Sequence, residues 1–124
     1  MILLDSNILI YSASDKYKYL RELVKRNDAA CSIISKIEVL GYHKITNEQI
    51  AYFDAIFKVI QILSVSDEVV TQAIFYRQRK SMSVGDAIIA ASAKVLDCDL
   101  YTNNVEDFKS IKDFKIVNPI KKRN

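Results

Sequence analysis

The chain has 124 residues, 50% of them hydrophobic and 27% charged, with two glycines and one proline. That is enough for one domain with one core (residues 1–124 as a single unit), and the scarcity of turn residues favours long helices over a many-stranded sandwich. A formal charge of +3 does not announce a nucleic-acid binder, but permits one if acids gather in a cleft and bases ring it.

Residues 1–4 (MILL) form an apolar run ended by Asp5, Ser6 and Asn7, the pattern of a buried strand breaking into an Asx-type turn. Residues 16–26 alternate bases with Tyr19, Leu20, Leu23 and Val24 at helical spacing, and residues 29–34 read as a second buried strand. Helices follow at 35–42 and 47–58, the latter with Ile50, Phe53, Ile56 and Phe57 on one stripe. The apolar segment 59–65 reads as a third strand. Residues 66–80 form an amphipathic helix with Asp67 and Glu68 in its first turn and Arg77, Arg79 and Lys80 in its last, an order that suits the helix dipole. An alanine-rich buried helix at 83–96, a strand at 99–102, a turn or short helix at 105–108 and a strand at 114–117 complete the order, before a basic tail, KKRN, expected to fray. Strands alternating with helices imply a parallel sheet covered on both faces: a three-layer α/β domain.

No apolar run approaches the ~18 residues of a membrane span. The opening MILLDSN lacks the basic start of a signal peptide. Cys31 and Cys98 form no CxxC pair and read as two free thiols in a reducing cytoplasm. There is no P-loop, GxGxxG or HExxH, and the lone His43 reads as a surface helix residue.

The acids fall in a telling order. In open α/β sheets ligands bind at the carboxyl ends of the strands, beside helix amino termini. Asp5 ends the first strand, Glu38 follows the second, Asp86 opens the helix before the fourth, and Asn104, Glu106 and Asp107 follow that strand. Each has a purely structural explanation. Ser35-Lys36-Ile37-Glu38 and Ser83-Val84-Gly85-Asp86 match capping boxes, Asn104 begins a cap-like segment, and Asp5 suits an Asx turn. Caps do not, however, require all these starts to share one edge. Clustered carboxylates repel and need protons or a cation, and a hard ion such as Mg²⁺ or Mn²⁺ suits all-oxygen ligands. Phosphoryl transfer is the chemistry that suits such a site.

Taken in order, LLDSNILIY, SIISKIEVLGY, SVGDAIIAASA and LYTNNVEDF followed by FKIVNP resemble the PIN-domain ribonucleases, particularly the toxin subunits of VapBC-type toxin–antitoxin pairs. The resemblance covers nearly the whole chain. It implies a sheet of about five parallel strands, a Mg²⁺- or Mn²⁺-dependent endonuclease acting on RNA, a cognate antitoxin and a homodimer. By position, Asp5, Glu38 and Asp86 correspond to the family's metal-site acids, Asn7 to a polar residue supporting the first, and Thr102 to a hydroxyl beside the fourth acidic position. That fourth acid is expected where this chain has Asn104, so Asp107 is the candidate substitute. The departure leaves a two-metal site in question and a one-metal site intact.

Arg77, Arg79 and Lys80, with Tyr76 as a stacking ring, form a candidate RNA-binding surface; a solvated, dipole-matched helix end explains the same charges. Arg21, Lys25 and Arg26 read as a solvated face. Two other functions compete with the nuclease. One is a PIN-like interaction module with weak catalysis, which Asn104 favours and a Mn²⁺ titration would separate. The other is an aspartyl phosphotransferase, disfavoured because Asn7 stands where that chemistry wants a second Asp.

Overall fold

Residues 1–121 are described by the structure, a computed structural model. Most of the tail expected to fray, residues 122–124, lies outside the described residues. Strands β1 (Ile2–Leu4), β2 (Ala29–Ser32), β3 (Gln61–Leu63), β4 (Asp99–Tyr101) and β5 (Ile116–Val117) form one sheet in the order β3-β2-β1-β4-β5, every neighbouring pair parallel. Between them run helices α1 (Ser6–Ser12), α2 (Leu20–Val24), α3 (Ile33–Leu40), α4 (Asn47–Val59), α5 (Asp67–Arg79), α6 (Val84–Val95) and α7 (Val105–Phe108).

Alternation along the strands sorts the core into two layers. Leu3, Ala30 and Leu100 fall on the face covered by α5, α6 and α7; Ile2, Leu4, Ala29 and Cys31 fall on the face covered by α1 to α4. Both faces being covered, the central strands β1 and β2 are buried along their whole length. Leu3 and Leu4 are each 0% exposed on opposite faces, and burying either side chain stabilises the fold by about 1.5–3 kcal/mol. The expected three-layer α/β fold, with a parallel sheet, is the one observed.

Topology positions the site. From β1 the chain proceeds to β2 and then β3 on one side. The connection from β3 then crosses to the opposite side of β1 to begin β4. The strand order therefore reverses between β1 and β4, and their splayed connections leave a crevice at the carboxyl ends of those two strands.

Several expected elements shift. Asp5 does not end in a turn: its Oδ1 accepts the Ser6 N–H at 2.8 Å and caps α1, a helix the sequence left unassigned. The helix expected at 16–26 is broken into a 3₁₀ turn (Asp15–Tyr17) and the short α2, so that the Tyr17 ring returns to Tyr11 at 4.9 Å. Ile33 and Ile34, expected in the second strand, form the first turn of α3, because pairing of β2 with β3 ends at Ser32. The cap of α3 is accordingly Ser32, whose Oγ accepts the Ile34 N–H at 3.2 Å, and not Ser35, which lies buried inside the helix. The third strand is shorter than 59–65, since Val59 ends α4 and is 76% exposed. His43 lies exposed in the turn after α3 rather than on a helix.

The alanine-rich helix α6 forms as expected, with the Ser83 Oγ accepting the Asp86 N–H at 3.0 Å. Ala87, Ala90, Ala91 and Ala93 are fully buried; their small side chains let the helix lie close to the sheet and bring its amino terminus toward α3. Cys31 and Cys98 are both free and buried, and burial pushes the Cys31 thiol up to about 12. Neither is a reactive thiolate near neutral pH.

The relocated cap is testable. Ser32→Ala removes the α3 cap and is expected to cost about 1 kcal/mol in urea denaturation. Ser35→Ala should cost less, because alanine is the better helix former and Ser6 retains its carboxylate partner. The opposite ranking would restore Ser35 as the cap.

Candidate active site

At the crevice between β1 and β4 the Asp5 carboxylate is only 4% exposed. Its Oδ1 accepts the Ser6 N–H, and its Oδ2 accepts the Thr102 hydroxyl at 2.7 Å and the Asn7 Nδ2 at 3.1 Å. Thr102 follows β4 directly and is 0% exposed. Having given its proton to Asp5, its Oγ1 accepts from the Asn104 N–H at 3.0 Å and, more weakly, from Asn7 at 3.4 Å. Asn7 in turn accepts the Asn103 N–H at 3.1 Å. The two strand ends are thus laced together by polar groups, all from residues that close the crevice.

On the other side, Ser6 Oγ lies 2.9 Å from both Ser35 Oγ and Glu38 Oε1. Having one proton, the Ser6 hydroxyl donates to the carboxylate and accepts from Ser35. Glu38 Oε2 lies beside Gly85, 3.7 Å from where a Cβ on that residue would sit, so α3 presents this acid to the amino terminus of α6. Asp86 occupies the first turn of α6, half-buried.

Charge ties these groups into one site. Burial holds the Asp5 carboxyl above the ordinary carboxylate range; the Thr102 and Ser6 hydrogen bonds oppose that, and the charges of Asp86 and Glu38 add to it. Asp86 is likewise raised, first by burial, then by Asp107, with Glu38 adding and the Ser83 hydrogen bond and Lys80 opposing. Asp5 therefore sits in the fields of Glu38 and Asp86, and Asp86 in those of Asp107 and Glu38. Among the described residues, though, no three His, Cys, Asp or Glu side chains are gathered tightly enough to ligate one ion as they stand. The donors suit a hard divalent cation in chemistry and charge: all are oxygen, and their mutual repulsion is the penalty such a cation relieves.

Asn104 precedes α7 without capping it by its side chain and is exposed. The charge of Asp107 bears on Asp86, and its backbone carbonyl accepts the Lys80 ammonium at 2.6 Å. Lys80 is the one member of the expected basic surface beside the acids. Arg77 Nε donates to the Met82 carbonyl at 3.2 Å, while Arg79 donates to Phe75 and lies 3.4 Å over its ring. Tyr76 is no stacking platform: it is buried, and its hydroxyl donates to Asp113 at 2.7 Å. Sequence reasoning missed Ser6 and Ser35, whose hydroxyls join Asp5's helix to Glu38, and Asn103. The adjacent pair Asn103-Asn104 after a strand end was the available signal for the last.

A doubly wound sheet with acids around the crevice at its reversal point places the chain among the α/β domains that bind ligands at the carboxyl ends of their strands. A family model described as PIN domain matches residues 2–113, and the chain belongs to that family. Among solved structures it is similar to one described as a toxin–antitoxin complex from Klebsiella pneumoniae, at 26% identity, TM-score 0.80, covering 97% of this chain and 98% of that one. It is also similar to VapBC2 from Rickettsia felis bound to a promoter DNA fragment, at 25% identity, TM-score 0.75, covering 95% and 98%. The likeness to FitAcB from Neisseria gonorrhoeae, at 23% identity, TM-score 0.78, covering 96% and 98%, concerns the fold. No curated protein matches the chain.

Because Asp5 and Asp86 are both raised, the folded protein binds their protons more tightly than the unfolded chain does. Their contribution to stability is complete below the unfolded value of 3.8 and is lost as pH rises through the folded values. Chelator-treated protein should therefore melt at lower temperature at pH 7 than its remaining groups alone would dictate. Asp86→Asn should raise the melting temperature at pH 7 in chelator and leave it nearly unchanged near pH 4. A loss of stability at pH 7 would return Asp86 to service as a helix cap alone.

Proposed function

We propose that the chain is the toxin subunit of a VapBC-type pair, a cytoplasmic Mg²⁺- or Mn²⁺-dependent endoribonuclease whose partners are RNA, a cognate antitoxin and a second copy of itself. The observation that carries this reading is the buried Asp5 carboxylate at the reversal point, flanked by Glu38 and Asp86 and held by Thr102 and Asn7. The similar structures described as toxin–antitoxin complexes support the antitoxin.

Asp5, Asp86 and Glu38 would hold the cation, with Asp107 or Asn104 at the margin. When bound, such an ion polarises a phosphate oxygen and acidifies a water. The protein's own groups do the rest. Asp5 is fixed by three donors, so it meets a ligand without reordering. Asp86 is set at the positive end of α6, which offsets part of the gathered negative charge. Glu38 holds Oε1 against Ser6 and leaves Oε2 either to serve as the third cation ligand or, in place of that role, to take a proton from the attacking water. The water oxygen forms a new bond to phosphorus as the opposite bridging P–O bond breaks, and the leaving oxygen takes up a proton. Lys80, tethered to the Asp107 carbonyl, lends positive charge at the phosphate's approach.

A second reading, a PIN-like interaction module with weak catalysis, is favoured by two observations. Asn104 stands where the family pattern expects an acid, and no three acids are drawn together around one point among the described residues.

Millimolar Mn²⁺ should raise the melting temperature of the wild type by mass action. It should also support RNA cleavage that Asp86→Asn and Glu38→Gln reduce by on the order of 10²-fold or more. A protein whose melting and cleavage both ignore Mn²⁺ is the interaction module.

The fourth position has its own test. Asn104→Asp is expected to strengthen Mn²⁺ binding, and Asp107→Asn to weaken cleavage modestly. If Asn104→Ala abolishes cleavage while Asp107→Asn is silent, the amide itself is the working group.

A further inference from the structure

The polar lacing of the crevice continues beyond the acids. Asn7, bonded to Asp5, accepts from the backbone of Asn103, whose side-chain amide reaches the Tyr11 hydroxyl at 3.5 Å. Tyr11 begins a run of three half-buried rings: Tyr11 to Tyr17 at 4.9 Å between centroids, and Tyr17 to Tyr19 at 6.3 Å. Lysines flank the run, Lys16 Nζ lying 5.4 Å from the Tyr17 centroid and Lys121 Nζ 5.2 Å from that of Tyr19. A second amide, Asn118, donates from Nδ2 to the side-chain Oδ1 of Asn103 at 3.2 Å.

Packing accounts for part of this cluster. Tyr19 accepts the Lys121 N–H and so secures the last described segment, and Tyr11 is tied to Asn103. It does not account for Tyr17, which sits on the 3₁₀ turn that interrupts the expected helix and whose hydroxyl has no partner among the described residues. Tyr17 is half-exposed, with the Lys16 ammonium beside its ring. The acid nearest in sequence, Asp15, is drawn toward Arg21 at 3.5 Å. Aromatic faces interleaved with amides and lysines are the composition that holds unpaired bases. Rings stack on any base, lysines meet the phosphates, and amides bond base edges.

We propose that Tyr11 and Tyr17, joined to Asp5 through Asn103 and Asn7, form a subsite that stacks an unpaired base of single-stranded RNA beside the phosphate to be cut. The subsite rests on the ribonuclease reading for its substrate, and it needs an unstacked base, which a duplex does not offer.

The test uses the full chain carrying Asp86→Asn, to separate binding from cutting, and a mixed-sequence oligoribonucleotide of about twelve nucleotides. The strand carries 2-aminopurine, whose fluorescence falls when it stacks, and is offered both single and as a duplex. Single strands should bind better and be quenched. Tyr17→Leu, which keeps apolar volume, should weaken binding about 5- to 100-fold and abolish quenching, while Tyr17→Phe retains both. Melting curves establish that each variant is folded; should Tyr17→Leu fail to fold, the quenching in the parent decides. Equal binding and no quenching with Tyr17→Leu and its parent, in a protein whose wild type cuts RNA, overturns the subsite and leaves the nuclease reading standing. Quenching that depends on Tyr17, in a protein that never cuts, overturns the nuclease reading and with it the subsite's place beside a phosphate to be cut. A wild type that neither binds nor cuts single strands overturns both.

Discussion

A carboxylate sealed at the end of the central strand is the constraint around which this fold is arranged. Moving an ionised acid out of water costs several kcal/mol unless donors replace the solvent. Asp5 finds three, from the first turn of α1 and from the residue after β4. The Thr102 donor exists only if β1 and β4 are neighbours in register, and the Ser6 and Asn7 donors only if α1 begins at once. The acid thus draws on the structure on both sides of it, and any alternative pairing of β1 would cost it the Thr102 hydroxyl, the one donor that arrives from a distant segment.

The same placement explains the electrostatic character of the site. Acids at strand ends and helix starts are individually ordinary, and each here has a structural duty. Asp5 caps α1, Glu38 takes the Ser6 hydroxyl, and Asp86 sits in the capped first turn of α6. Their convergence follows from sheet topology, because the reversal of strand order directs the connections away from the crevice and the helix starts toward it. Positive charge enters sparingly: Lys80 approaches Asp86, whereas Arg77 and Arg79 are held by backbone carbonyls around the end of α5.

Much of this was legible in the sequence. Apolar runs such as MILL located the buried strands, alternation with helices gave the parallel three-layer sheet, and acids at the boundaries pointed to the crevice as the candidate site. What escaped depended on contacts between distant segments. Helix α1 is a short stretch, and the run ILIY does not reveal by its period whether it is strand or helix. Ser32 and Ser35 are both plausible caps, and only the end of pairing with β3 decides between them. Ser6 and Asn103 acquire roles from partners far along the chain, which no local pattern encodes. Tyr76 misled for the converse reason: a tyrosine on a basic helix end looks free until its buried partner, Asp113, is known.

The strand order also sets when the site can exist. Thr102, which fixes Asp5, lies 97 residues after it, and β4 cannot dock until nearly all of the domain has been made. Contacts of such long range form late in folding. A chain still emerging from the ribosome would carry its first acid without the hydroxyl that secures it. For a protein synthesised amid the cell's own RNA, the crevice is therefore incomplete through most of its synthesis, a delay written into the topology itself.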